Sequence, residues 1–76
     1  MEVTEIALCA ALAAHRIQPV KTVTRAARIV WQYRDEDRVR HICDHYLAGT
    51  LSGNLLVFNN YLRMFQAQVK GVQHGR

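Results

Sequence analysis

The chain has 76 residues, half of them apolar, and a formal charge of +4. That length accommodates one domain with a modest core, and the apolar fraction excludes an intrinsically disordered chain. The mild positive charge permits an acidic partner surface or a nucleic acid without requiring either.

The first predicted helix covers about Thr4 to Arg16 and contains the uncharged run from Ile6 to Ala14. This run is too short to span a bilayer, and it follows glutamates rather than the basic residues of a signal peptide. We therefore expect a cytoplasmic protein. A helix that is apolar all round has no solvent face, so it lies at the centre of the fold or meets a second subunit.

Two further helices are predicted in the middle of the chain. The second runs from about Pro19 to Tyr33, because proline suits the first turn of a helix. The third begins at Asp35 or Asp37, runs to about Leu47 and is stopped by Gly49. Since no glycine or proline separates them, one long bent helix over 19–47 is a real alternative.

The strongest pattern lies in the last third of the chain. Apolar residues step by three and four from Leu51 to Val69, which predicts an amphipathic helix. Ser52 is its expected N-cap, and Gly71 its expected C-cap. The apolar seam, which we expect to form the core or a dimer interface, consists of Leu55, Phe58, Leu62, Phe65 and Val69.

These elements predict an all-α fold, a compact bundle or orthogonal array of four helices. Residues 1–71 form a single helical domain and residues 72–76 a frayed tail. Short connections favour antiparallel neighbours. We also expect a homodimer, because the uncharged first helix and the broad stripe of the last helix exceed what one small core can bury.

The inventory of reactive groups argues against an enzyme. The chain has one serine, no glycine-rich phosphate loop and no carboxylate pair in an apolar pocket. Cys9 and Cys43 are expected to be reduced, largely buried thiols. His41 and His45 share one helical face but lack a third ligand, so we predict no metal site and no cofactor.

Basic residues recur at helical spacing in two stripes, and arginine outnumbers lysine eight to two. The first stripe is Lys21, Arg25 and Arg28; the second is Arg34, Arg38 and His41. They predict a positive surface for phosphates or an acidic protein, although ordinary solvated faces would look the same. Trp31 and Tyr61 are the expected apolar anchors of such a surface.

We therefore expect a small non-catalytic regulator or inhibitor that covers an acidic surface of another protein. Its size and lack of motifs are compatible with an accessory protein of a phage or mobile element. The alternative is a DNA-binding regulator that uses the same basic faces. A helix-turn-helix would place the bulky Trp31 in its turn and the acids Asp35, Glu36 and Asp37 near phosphates, which argues against that motif.

Overall fold

The computed structural model describes residues 1–74 and combines three helices with a three-stranded antiparallel sheet. The elements in chain order are β1 (Glu2–Val3), α1 (Ile6–Ala14), β2 (Lys21–Arg25), β3 (Arg28–Gln32), α2 (Asp37–Ala48) and α3 (Leu55–His74). The prediction of an all-α bundle or orthogonal array of four helices is therefore wrong. A β-hairpin replaces the predicted second helix, and the alternative of one bent helix over 19–47 is wrong for the same reason.

The hairpin follows from the side chains of its two strands. β2 carries Thr22, Val23 and Thr24, and β3 carries Ile29 and Val30, all of them branched at Cβ. Such residues lose side-chain freedom against the preceding turn of a helix and pack well on a pleated sheet. The strands pair in full register, from Lys21 opposite Gln32 to Arg25 opposite Arg28. The spacing of the apolar residues predicts a helix here, but the high content of β-branched residues favours strands, and strands are what form.

The hairpin turn consists of Ala26 and Ala27, which have φ angles of +49° and +64°. A two-residue turn with positive φ at both positions is of type I′, whose twist matches that of the flanking strands. Asparagine and glycine usually occupy it, since a Cβ atom makes this backbone region costly. Two alanines favour a helix in isolation, which explains why the turn is not evident from the sequence.

Replacing the two turn alanines by Ala26→Asn and Ala27→Gly together should stabilise the protein. Relief of two strained residues is expected to add about 1 kcal/mol to the free energy of unfolding, which raises Tm by about 4–8 °C. If this segment were helical, the same pair would instead cost more than about 1 kcal/mol. Thermal denaturation followed by circular dichroism decides between them. As a control, Ala67→Gly on the exposed side of α3 should lower Tm.

The sheet order is β1-β3-β2, so the chain's N-terminus lies against the central strand. Val3 pairs with Trp31, and the amino group of Met1 donates a hydrogen bond to the Tyr33 carbonyl at 2.9 Å. The Tyr33 amide in turn donates a hydrogen bond to the Met1 carbonyl at 2.8 Å. Val3, Ile29, Trp31 and Tyr33 are buried against the helices, whereas the opposite face of the sheet carries exposed side chains and is left open by the described helices.

Helix α1 lies at the centre of the fold, which is one of the two places expected for an uncharged helix. Cys9, Ala10 and Leu12 are fully buried. The alanines let α3 approach closely, and the two helices form the largest helix–helix contact of the protein. Across from them, the rings of Trp31 and Phe65 pack edge to face with centroids 5.3 Å apart. This pair joins the sheet to α3.

Helix α2 ends, and helix α3 begins, at an identifiable cap. Gly49 ends α2 with a φ of +73°, as predicted. The N-cap of α3 is Asn54, whose side-chain oxygen accepts hydrogen bonds from the amides of Leu56 at 2.9 Å and Val57 at 3.2 Å. The prediction of Ser52 as the cap is therefore wrong. The helix also continues through Gly71, where a C-cap was predicted.

The predicted apolar seam of α3 belongs to the core of the single chain. Phe65 is buried, and Phe58, Leu62 and Val69 pack against the core. Leu55 is the exception, with 70% of its surface exposed. Of the predicted tail, 72–74 continue α3, and the last two residues lie outside the described part of the chain.

Candidate functional site

The six residues of the predicted basic stripes lie in three different places. Lys21 and Arg25 lie on β2, Arg28 lies on β3, and the strand register puts all three on the open face of the sheet. Arg34 lies in the loop before α2, whereas Arg38 and His41 lie on α2 itself. The residues of the first predicted stripe therefore do lie on one surface, although it is a sheet face rather than a helix face. The residues of the second stripe are divided between a loop and α2.

On the open sheet face, Arg25 is already engaged by a carboxylate. Its guanidinium donates two hydrogen bonds to Glu2, at 2.9 and 3.0 Å. These bonds, followed by one from Gln32, lower the pKa of the Glu2 carboxyl. The pair reaches across the central strand at Val30, which explains how this residue is buried on a face that no helix covers. Lys21 and Arg28 are exposed and lack an ion-pair partner among the described residues.

A cleft of about 250 Å³ brings three arginines together from distant parts of the chain. They are Arg16 after α1, Arg34 after β3 and Arg38 in the first turn of α2. Within the described chain, none of the three forms an ion pair. Arg38 donates one long hydrogen bond, 3.4 Å, to the His15 carbonyl. Glu36 also lines the cleft, so its formal side-chain charge is three minus one, or +2.

The backbone of Arg16 is held in the left-handed region, with a φ of +65°. Its amide donates to the Ala13 carbonyl and that of Ile17 to the Leu12 carbonyl, both at 2.9 Å. This is the Schellman arrangement, in which the residue at Arg16's place is usually glycine because a Cβ is unfavourable there. Ile17 then packs against the core. The turn thereby directs the chain, and with it Arg16, to the mouth of the cleft.

His41 stands beside His45, with ring centroids 4.3 Å apart, and His15 lines the same shallow hollow. His45 Nδ1 lies 2.8 Å from the Thr50 hydroxyl. The pairing of His41 and His45 agrees with their spacing of four along a helix. Among the described residues, no three histidine, cysteine or acidic side chains converge closely enough to hold a metal ion.

An apolar groove of about 300 Å³ opens between α1, the end of α2 and the start of α3. Ala11, Ala14 and Phe58 line it, together with Leu51 and Leu55. Among the described residues, no acidic side chain contributes to its wall. Its polar edge is formed by His15, Tyr46, Ser52 and Asn54.

The three most exposed leucines flank the connection between α2 and α3. Leu47 in the last turn of α2 is 76% exposed, and Leu55 and Leu56 in the first turn of α3 are each 70% exposed. Burial of a leucine side chain contributes about 1.5–3 kcal/mol, and most of that stabilisation is absent for these three exposed side chains. Clustered exposed apolar surface of this kind is typical of an interaction site.

Of the two predicted aromatic anchors, Trp31 is buried, whereas Tyr61 is partly exposed, as expected. Trp31 is 1% exposed and donates its indole N–H to the Gln68 side chain at 3.1 Å. It is a core residue, so it cannot contact a partner. Tyr61 is half-buried and packs against the core.

The two cysteines lie in the interior near the Tyr33 ring. Both are free thiols, and burial raises the pKa of Cys9 to about 11 and that of Cys43 to a lesser degree. The Tyr33 hydroxyl comes close enough to Cys9 to lower that thiol's pKa slightly, but it has no well-formed hydrogen bond. Burial also raises the pKa of Tyr33. A thiol with a raised pKa and no exposure is chemically inert.

Alkylation of the thiols should therefore require unfolding. With a pKa of about 11, Cys9 is a thiolate in only about one molecule in a thousand at pH 8. We expect iodoacetamide at pH 8 to label native protein at least about 100-fold more slowly than protein in denaturant. Mass spectrometry of quenched samples measures both rates. Equal rates would show that the thiols are accessible in the folded state.

Sequence reasoning missed two features of these sites. Arg16 was taken only as the end of the first helix, although Ile17 and Pro19 after it mark a tight helix exit. The exposed leucines could not be distinguished from core, because Leu47 and Leu55 continue the apolar rhythm of their helices. Only the placement of Asn54 as the cap shows that the helix begins too late for Leu55 to reach the core.

No helix in the described part of the chain is both long and apolar enough to cross a membrane. The sequence matches no protein-family model, no curated protein and no solved structure. Any function must therefore be argued from the site itself.

Proposed function

We propose that this protein is a small non-catalytic regulator or inhibitor that binds another protein and covers part of its surface. The observation that carries the proposal is the apolar groove, which the exposed Leu55 lines, together with the two further exposed leucines Leu47 and Leu56 at the adjoining ends of α2 and α3. The occupant we propose is an acidic segment of the partner that inserts an apolar side chain into the groove.

The size and lining of the groove support an apolar side chain as the anchor. Its volume of about 300 Å³ lies at the lower limit for small-molecule sites, and its wall is mainly aliphatic and aromatic. A single large side chain inserted into a desolvated pocket is the usual form of an interface hot spot. The exposed leucines would then enlarge the contact and exclude water from it.

Charge supports an acidic partner. The groove has no acidic residue, and His15 belongs both to its edge and to the hollow that contains His41 and His45. The next residue, Arg16, opens onto the arginine cleft. A partner lying along this side of the molecule would meet cations beyond the apolar groove, and such complementarity accelerates association and selects partners.

The non-catalytic part of the proposal is supported by the state of the nucleophiles. Cys9 and Cys43 are buried thiols with raised pKa values. Ser52 lines the same hollow as His15, His41 and His45, but among the described residues no hydrogen bond joins its hydroxyl to a histidine ring. Nucleophilic catalysis requires an accessible group activated by a neighbour.

A second copy of this chain is an alternative occupant of the groove. The seam predicted as a dimer interface packs inside the monomer, so a homodimer would use the exposed leucines instead. Analytical ultracentrifugation of the wild type and Leu55→Ser distinguishes this case, because only a homodimer would dissociate on substitution.

DNA binding is a second candidate, favoured by Lys21 and Arg28, which are exposed and unpaired within the described chain on one sheet face. Glu2 on the same face would oppose phosphates. Fluorescence anisotropy of a labelled random duplex at about 50 and 200 mM salt tests it, since phosphate contacts weaken steeply with salt.

The groove is tested by selecting peptides from a displayed random library against the folded protein. We expect acidic peptides with one large apolar residue, whose addition shifts the amide resonances of Ala14, Leu55 and Phe58. Leu55→Ser should weaken their binding at least about 10-fold, since one buried leucine is worth about 1.5–3 kcal/mol. Isothermal titration calorimetry measures the change.

The matched control is Met64→Ser, which removes an exposed apolar side chain from the same helix outside the groove. It should change affinity less than about two-fold. Peptides that bind elsewhere, or equal losses for both variants, would contradict the proposed binding site.

A further inference from the structure

We propose that the cleft between Arg16, Arg34 and Arg38 is a binding site for a terminal phosphoryl group of a small molecule. This site is separate from the apolar groove, and its ligand is a phosphate monoester or inorganic phosphate.

Three arginines converge on one cleft, and none of them forms an ion pair within the described residues. They come from positions up to 22 residues apart in sequence. Elsewhere in the described chain, Arg25 and Arg40 each have a carboxylate at 2.9 or 2.8 Å. The cleft's own acid, Glu36, forms no ion pair with any of its arginines within the described residues. Like charges repel at short range, so this cluster is completed by an anion from solution.

The backbone of Arg16 supports the site independently of charge. Its left-handed conformation is one that glycine adopts without strain, and the helix exit needs no side chain at this position. Strained residues of this kind concentrate at ligand sites, where the side chain has a use that the fold does not require. Arg16 lines the cleft, so the use of its side chain is to contact the ligand there.

The chemistry of the cleft selects the phosphoryl group. Its volume of about 250 Å³ holds a single oxyanion head group, with Gln18 as a further polar neighbour. A phosphate monoester carries nearly two negative charges on three terminal oxygens, so each guanidinium can face an oxygen. A carboxylate offers one charge and two oxygens, and an internal phosphodiester of DNA offers one charge.

The test is a titration of ¹⁵N-labelled protein with inorganic phosphate, adenosine monophosphate, acetate and a 20-base-pair duplex. We expect saturable shifts at Arg16, Gln18 and Arg38 with both phosphates, and at least 10-fold weaker binding of acetate. Equal affinities for the two phosphates would identify the free anion as sufficient. A 10-fold preference for the nucleotide would indicate a larger phosphorylated metabolite.

Arg16→Gly separates binding from folding. It should weaken phosphate binding at least 10-fold while Tm stays the same or rises, because glycine relieves the strained backbone. Arg38→Gln should weaken binding similarly. The matched control, Arg63→Gln, removes an exposed cation on α3 and should change affinity less than two-fold.

Three results would overturn the proposal. These are no saturable binding of either phosphate, equal losses in Arg63→Gln and Arg16→Gly, and tighter binding of the duplex than of the nucleotide at the same cleft resonances. The last would assign the cleft to nucleic acid instead.

Discussion

The edge-to-face contact between Trp31 and Phe65 holds the two layers of this protein together. Trp31 stands on the central strand and Phe65 in the middle of the longest helix, and both are essentially fully buried. The indole N–H finds its hydrogen-bond partner in Gln68, one helical turn after Phe65, so the buried polar group is satisfied where the two layers meet. A domain of this size has little stability to lose, and an aromatic pair of this kind adds about 0.5–1.5 kcal/mol beyond the area that it buries.

The central position of α1 has consequences for the surface. Because this helix fills the interior with small uncharged residues, α3 packs along it through Phe58, Leu62 and Phe65. Leu55 and Leu56 in the first turn of α3 remain exposed, and Leu55 lines the groove together with Ala11 and Ala14 of α1. The apolar surface offered to a partner thus lies where the end of α1 meets the start of α3.

The sequence predicted the helical parts of this fold far better than its sheet. The three-and-four spacing of α3 and the glycine stop of α2 depend on local physics, and both are present. The hairpin was missed because Ala26 and Ala27 give no turn signal, and because Val23 and Val30 fit the period of a helix as well as that of a strand. The branching of their side chains at Cβ is the feature of the sequence that favours strands over a helix. Trp31 illustrates the limit for sites, since its burial depends on a strand pairing that no local pattern displays.

Three described residues other than glycine have positive φ angles. They differ in whether the fold explains why a residue with a side chain occupies the position. Ala26 and Ala27 form a turn whose geometry the twist of the hairpin demands, and alanine has the smallest side chain that still bears a Cβ. Arg16 occupies a helix exit that glycine would serve at lower cost, yet it has one of the largest side chains. Folding accounts for the conformation at all three positions. It accounts for the residue type at none of them, and of the three only Arg16 lines a cleft with other arginines, the phosphate site that we propose.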